Sequence, residues 1–92
     1  MTKMVELIHT HHAKIHTPEG LEYFASSYGL ERPDGTWEGW LEFAPVDDQA
    51  PTLRTTRETT QSSRPALLSW ALGLEGAYLE GAFSRASIVT RS

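Results

Sequence analysis

The sequence predicts an α+β domain, in which a three-stranded antiparallel β-meander is followed by two C-terminal α-helices that pack on one face of the sheet. Three observations lead to this prediction. A Pro-Asp-Gly turn at residues 33–35 leads into an alternating strand, a threonine-rich segment follows at 52–61, and two apolar stripes of helical spacing fill residues 63–86. Three strands with helical cover are enough for a stable domain.

The composition excludes several classes of protein. The 92 residues suffice for one domain, and the absence of cysteine excludes disulfides and thiolate metal sites. The formal net charge of −4 argues against nucleic-acid binding, which usually needs a basic surface. No apolar run approaches the ~20 residues of a membrane helix, and residues 1–5 lack the apolar core of a signal peptide. We therefore expect a cytoplasmic protein with no membrane partner.

Residues 1–17 form a His-containing segment that is compatible with two conformations. The residues at helical spacing are Met4, Leu7, Ile8, His11 and Ile15, but Val5, Ile8, Thr10 and the alternation of histidine and threonine also fit a strand. We expect this segment to be partly mobile at its end. The single folded domain is then predicted to span residues 18–87, with a tail at 88–92.

The first strand of the meander is predicted at residues 21–31, against a competing helical pattern. Thr17 as N-cap with Pro18 in the first turn is typical of a helix start. However, the segment runs directly into the turn at Pro33-Asp34-Gly35, and a hairpin turn requires an incoming strand. We therefore favour the strand.

The central strand, residues 36–44, is predicted from strict alternation. Its apolar face consists of Trp37, Gly39, Leu41 and Phe43, and the opposite face carries Glu38, Trp40 and Glu42. Glu38 and Glu42 are ~13 Å apart on a strand, too far for a catalytic carboxylate pair. We expect them to pair with Arg54 or Arg57 if the strand at 52–61 lies antiparallel beside them.

Two helices are predicted after residue 62. Ser63 is the expected N-cap of the first helix, with Pro65 in its first turn. Gly73 and Gly76 bracket a break before the second helix. The apolar stripes that face the sheet are Leu67, Trp70, Ala71 and Leu74 in the first helix, and Tyr78, Leu79, Ala82, Phe83 and Ala86 in the second.

Three stretches of the chain resemble an uncharacterised family of short bacterial proteins. They are Trp-Glu-Gly-Trp-Leu-Glu-Phe at 37–43, Leu-Arg-Thr-Thr-Arg-Glu-Thr-Thr-Gln at 53–61, and Trp-Ala-Leu-Gly-Leu at 70–74 with Tyr-Leu-Glu-Gly-Ala at 78–82. The resemblance covers about residues 24–86 and implies a sheet followed by helices, with a strand before the Pro-Asp-Gly turn. It implies no activity, cofactor or site residue.

The candidate partner-binding residues are Trp40, Arg54, Arg57 and Arg64. Trp40 is a large aromatic residue on the polar face of its strand, and the arginines follow on the neighbouring strand and at a helix N-terminus, where anions are favoured. Such a patch suits a protein partner or a stacked base. The alternative is that the arginines pair with glutamates and that the helices cover Trp40.

The four histidines are the candidate metal ligands: His9, His11, His12 and His16. On a helix His12 and His16 would share a face, whereas on a strand His9 and His11 would do so. A full site would need a carboxylate from elsewhere in the chain, and a solvated His-rich segment explains the same residues.

We therefore expect a small non-enzymatic interaction or regulatory module, without a cofactor, that binds a protein partner or itself. A three-stranded meander leaves one sheet edge open, which either residues 4–16 or the second protomer of a homodimer would fill. The alternatives are a nucleic-acid-binding module that uses the arginine patch with Trp40, and a metal-binding protein or metal-dependent enzyme that uses the histidines.

Overall fold

The computed structural model describes residues 4–47 and 50–89 of the chain. It is an α+β fold with an antiparallel sheet and two helices near the C-terminus, as predicted. In chain order the elements are β1 (Glu6–His16), β2 (Glu22–Glu31), β3 (Trp37–Pro45), β4 (Leu53–Arg54), β5 (Thr59–Gln61), α1 (Arg64–Leu72), α2 (Gly76–Arg85) and β6 (Ser87–Ile88).

Over residues 4–47 and 50–89 the sheet has six strands, so the prediction of three was wrong in number. The strand order is β1-β2-β3-β4-β6, and β5 also pairs with β3. Residues 6–16 add a strand within the predicted N-terminal segment, and the predicted strand 52–61 is divided into β4 and β5. Strand β6 spans the boundary between the predicted domain, which ends at residue 87, and the predicted tail. Residues 1–3 of that segment and 90–92 of that tail lie outside the described residues.

Two hairpins with the same turn geometry join β1, β2 and β3. At Arg32–Thr36 the Arg32 N–H donates to the Thr36 carbonyl at 2.7 Å, and Gly35 adopts a φ of 87°. At Thr17–Leu21 the Thr17 N–H donates to the Leu21 carbonyl at 2.9 Å, and Gly20 adopts a φ of 88°. Thr17-Pro18 therefore begins a hairpin turn instead of a helix, and the strand prediction for residues 21–31 is confirmed.

The outer strand β1 is irregular. Its register with β2 shifts between Leu7 and His9 and again between Thr10 and Lys14, so β1 uses extra residues at both places. Bulges of this kind bend a strand and disturb its outer edge.

The segment between β4 and β5 leaves the regular ladder because a threonine side chain replaces one backbone pairing. The Leu41 N–H donates to the Thr55 hydroxyl at 3.1 Å, while the Thr55 N–H donates to the Leu41 carbonyl at 2.9 Å. The next ladder contact is the Glu58 N–H to the Gly39 carbonyl at 2.8 Å. Thr56 and Arg57 lie between these contacts and are exposed.

The two helices form as predicted. The Ser63 hydroxyl accepts a hydrogen bond from the Ala66 N–H at 3.2 Å and caps α1. Helix α1 ends at Leu72, with Gly73 as its C-cap, and α2 begins at Gly76. Glu58 holds α2 to the sheet, since its Oε1 accepts from the Tyr78 hydroxyl at 2.5 Å and from Arg85 Nη2 at 2.6 Å. In the described chain no helix is long and apolar enough to cross a membrane.

Both helices cover the same face of the sheet. The predicted apolar face of β3 is buried as expected, and the core forms two clusters. One contains Ile8, Trp37, Leu67 and Ala71, and the other contains Ile15, Tyr23, Ala25, Leu41, Phe43, Leu79 and Ala82.

The opposite face of the sheet carries neither helix. We call it the open face. The side chains that cross-strand pairing with Trp40 and its neighbours places on it include Leu7, Thr10, Lys14, Phe24, Ser26, Tyr28, Leu30, Glu38, Trp40, Glu42, Ala44 and Arg54. Residues directly opposite on paired strands point to the same face. The molecule therefore has two layers, one helical and one of strands, in line with its thin extent of 18 Å along one axis.

Candidate functional site

The open face is built around a row of three side chains on neighbouring strands. Leu7 pairs with Tyr28, and Tyr28 pairs with Trp40, so the three lie side by side across β1, β2 and β3. Leu7 is 50% exposed, whereas Trp40 is only 7% exposed. Exposure therefore decreases along the row, from an accessible apolar residue at the edge of the sheet to a covered aromatic residue in its middle.

Trp40 is covered by an arginine, not by the helices. The Arg54 guanidinium carbon lies 5.5 Å from the centre of the indole ring, a cation–π distance. Glu42 connects the two residues, because its Oε2 accepts from Trp40 Nε1 at 3.1 Å and lies 3.9 Å from Arg54 Nη1. The expected pairing with an arginine is found for Glu42, with Arg54 across β3 and β4, but not for Glu38 within the described residues. The alternative of a helix-covered Trp40 is wrong, since the helices lie on the other face.

A groove of about 250 Å³ opens beside Trp40. We call it the Trp40 groove, and it is lined by Val5, Leu30, Glu38, Trp40, Arg54, Thr55, Thr56 and Arg57. The interruption between β4 and β5 forms one wall, because Thr56 and Arg57 leave the ladder there. The lining of the groove combines apolar side chains with hydroxyl groups and charges of both signs.

The four predicted partner-binding residues divide between two places. Trp40, Arg54 and Arg57 line the Trp40 groove. Arg64 does not, because its Nε donates to Glu6 Oε1 at 3.1 Å at the start of α1. The structure therefore brings together three of the four residues and leaves Arg64 in an ion pair with β1.

Charges in the Trp40 groove are only partly neutralised. Arg54 is engaged by Glu42 and Trp40, whereas neither Glu38 nor Arg57 has an ion pair within the described residues. Burial, and after it the Glu42 carboxylate, raises the pKa of the neighbouring Tyr28. Tyr28 therefore presents a neutral hydroxyl at physiological pH.

The histidines occupy β1 in separate environments. His11 is buried, and its Nε2 lies 2.7 Å from the Ser27 hydroxyl. Burial lowers the pKa of His11, and the neighbouring His9 and His12 lower it further. His16 is exposed, with its Nδ1 3.2 Å from Glu22 Oε2.

Metal chemistry would require these histidines to converge. The His9 and His11 rings contact each other edge to face, with their centres 4.8 Å apart. Across residues 4–47 and 50–89, however, no three or more histidines, aspartates or glutamates form a group that could hold a metal ion. The strand conformation accounts for this, since it places His16 apart from the His9–His11 pair.

Sequence reasoning missed Val5, Leu7, Tyr28 and Leu30 as parts of this surface. Alternation in β2 was available as a signal, because Phe24, Ser26, Tyr28 and Leu30 follow each other at every second position. The contribution of Val5 and Leu7 had no comparable signal, because it depends on the pairing of β1 with β2.

Comparisons with known proteins add no assignment. No family model matches the chain, and no curated protein or solved structure is significantly similar to it. The function is therefore argued from the geometry of the open face.

Proposed function

We propose that this protein is a small non-enzymatic interaction module that binds a protein partner, or a second copy of itself, through the open face of its sheet. The observation that carries the proposal is the row of Leu7, Tyr28 and Trp40 on a face that neither helix covers. Tryptophan, tyrosine and arginine are the residues most enriched among those that dominate protein–protein binding energy.

The chemistry of the Trp40 groove also favours a protein ligand. Its lining includes apolar side chains, two threonines and charges of both signs, which is the mixed character of a protein interface. A volume of about 250 Å³ accommodates one or two side chains of a partner.

Leu7 is the residue with which to test this proposal. It is half exposed, so Leu7→Asp places a charge on the open face without emptying the core. Trp40 is unsuitable, because at 7% exposure its replacement would damage folding as well as binding. Leu72→Asp is a matched control, since Leu72 is 60% exposed on α1 in the other layer.

The experiment is a pull-down from cell lysate with tagged wild-type protein and the two variants, with an untagged copy of the chain added. We expect the wild type and Leu72→Asp to retain the same protein, either a cellular partner or the untagged copy. Leu7→Asp should lose it. Equal retention by Leu7→Asp and Leu72→Asp, or no retained protein at all, would contradict the proposal.

One observation supports the nucleic-acid alternative: Trp40, Arg54 and Arg57 line the same groove. Against it, Glu38 lines the same groove, Glu42 engages Arg54, and Arg64 is paired elsewhere. Titration of a labelled single-stranded oligonucleotide tests it: binding should weaken steeply with salt and with Arg57→Ala. Absence of binding at low salt rejects it.

The metal alternative retains one feature, the edge-to-face pair of His9 and His11. If that pair belongs to a metal site, zinc should bind stoichiometrically and His9→Ala should abolish uptake. Weak binding that survives His9→Ala indicates only the general affinity of histidine for transition metals.

A further inference from the structure

We infer that the occupant of the open face is a second copy of this chain, packed face to face about a two-fold axis through the Trp40 groove. Glu38 of each protomer then lies opposite the partner's Arg57. This inference rests on the proposed function and names its partner.

The first argument is the charge pattern of the Trp40 groove. Glu38 and Arg57 line the same groove with opposite charges, yet neither has an ion pair among the described residues. A two-fold axis makes every contact occur twice, so a groove in which one acid and one base have no ion pair among the described residues is complementary to itself. Two symmetry-related Glu38–Arg57 pairs satisfy all four charges.

The second argument is the apolar content of the same face. Val5 lines the groove and is half exposed, and Leu7 beside it is also half exposed. When the two-fold axis brings two such patches together, Val5 and Leu7 of both protomers, four aliphatic side chains in all, are removed from water. Since apolar burial contributes about 25 cal/mol per Å², it supplies the attraction, while the charges set the orientation.

The size of the molecule also allows such an interface. The two longer axes of the molecule measure 42 and 32 Å, dimensions that leave room for the ~800 Å² that each partner contributes to a standard interface. Two sheets can then stack at the ~10 Å spacing of a β-sandwich, with the helices on the outside.

The outer edge of β1 is the competing place for a second copy. Continuous pairing there requires a regular strand, but the register of β1 shifts at two places. Since bulges disturb edge-to-edge pairing, the open face is the better supported interface.

The test is sedimentation equilibrium of the full chain with a set of charge exchanges. We expect the wild type to be a dimer at micromolar concentration. Glu38→Arg and Arg57→Glu should each weaken dimerisation by about tenfold or more, because each places like charges opposite one another twice. A mixture of the two single variants should recover dimers, since every contact between them again joins opposite charges.

The mixture also controls for folding, because a misfolded variant cannot restore the dimer. Recovery by the double variant Glu38→Arg/Arg57→Glu gives a second, independent check within one chain. A wild type that stays monomeric, or a dimer that neither single variant weakens, overturns the inference. If the wild type is monomeric but captures a different protein in a Leu7-dependent manner, the proposed function stands and only its partner changes.

Discussion

Leu67 of α1 lies directly over Gly39 of β3, so closely that a Cβ on Gly39 would come within 2.6 Å of the Leu67 Cδ1. Gly29 pairs with Gly39 across β2 and β3. A Cβ on Gly29 would also clash with Leu67, at its Cδ2. The two glycines form a shallow depression in the sheet, and fully buried Leu67 fills it. This contact determines how closely the helical layer approaches the sheet.

Gly39→Ala should lower the free energy of unfolding by about 1–3 kcal/mol, because Leu67 is packed on all sides and cannot move away freely. Urea unfolding followed by circular dichroism measures this. Gly76→Ala is the control, since a Cβ there meets nothing within 4 Å, and it should leave stability unchanged or slightly higher. In a Leu67→Ala background the penalty of Gly39→Ala should shrink; an unchanged penalty would show that another contact is responsible.

Glu42→Ala should lower the free energy of unfolding by about 1–3 kcal/mol, since it leaves the buried Trp40 indole N–H without its acceptor and releases Arg54. Hydrogen exchange of the Trp40 indole N–H, measured by NMR, should accelerate in parallel. Glu31→Ala, which removes an exposed glutamate at the end of β2, is the comparison and should change neither quantity. Unaltered indole exchange in Glu42→Ala would contradict the predicted role of this carboxylate.

His11 should make stability fall as the pH decreases. Its pKa in the folded protein lies below the ordinary value of about 6.5, so below that pH the unfolded chain binds more protons than the folded one. This contribution is complete above pH 6.5 and is lost progressively as the pH falls from there toward the lowered pKa.

Urea midpoints between pH 7.5 and pH 5 measure the effect, with His11→Gln and His12→Gln as the pair of variants. His12→Gln removes only the third of the three causes that lower the His11 pKa, so most of the pH dependence should remain. His11→Gln should flatten it, whatever its effect on absolute stability. Parallel pH curves for the wild type and His11→Gln would contradict this assignment.

Glu58 should be essential for the docking of α2. Its side chain is 8% exposed and accepts from both Tyr78 and Arg85. Tyr78→Phe removes one bond and should cost about 0.5–1.5 kcal/mol, whereas Glu58→Ala removes both and should cost more. Amide hydrogen exchange in α2 should accelerate in Glu58→Ala but not in Glu80→Ala, an exposed site on the same helix. Uniform protection in all three variants would show that α2 is held by its apolar contacts alone.

Much of the fold could be predicted from local patterns. The alternation of β3, the Ser63 cap and the Gly73–Gly76 break each depend on residues within a few positions of one another, and the structure has all three. The ion pair between Glu42 and Arg54 could be predicted from the alternation of side chains in β3 together with antiparallel pairing.

The N-terminal strand β1, which the sequence left open against a helix, shows where local patterns become ambiguous. Thr17-Pro18-Glu19-Gly20 and Arg32-Pro33-Asp34-Gly35 form the same turn, yet only the second was interpreted as a hairpin. A threonine before a proline also fits a helix start, and β1 is so irregular that its apolar residues do not alternate cleanly. Pairing with β2 resolves this ambiguity, and that contact is not local.

The sequence by itself determined the α+β class, the polar and apolar faces of β3 and the two helices, because these depend on spacing along the chain. Tertiary structure decided which residues share the Trp40 groove. Tertiary structure placed Val5 and Arg57 in the lining of the same groove, paired Arg64 with Glu6, and covered Trp40 with Arg54. These arrangements depend on strand register and on the interruption between β4 and β5, and register is set by side-chain packing across the whole sheet.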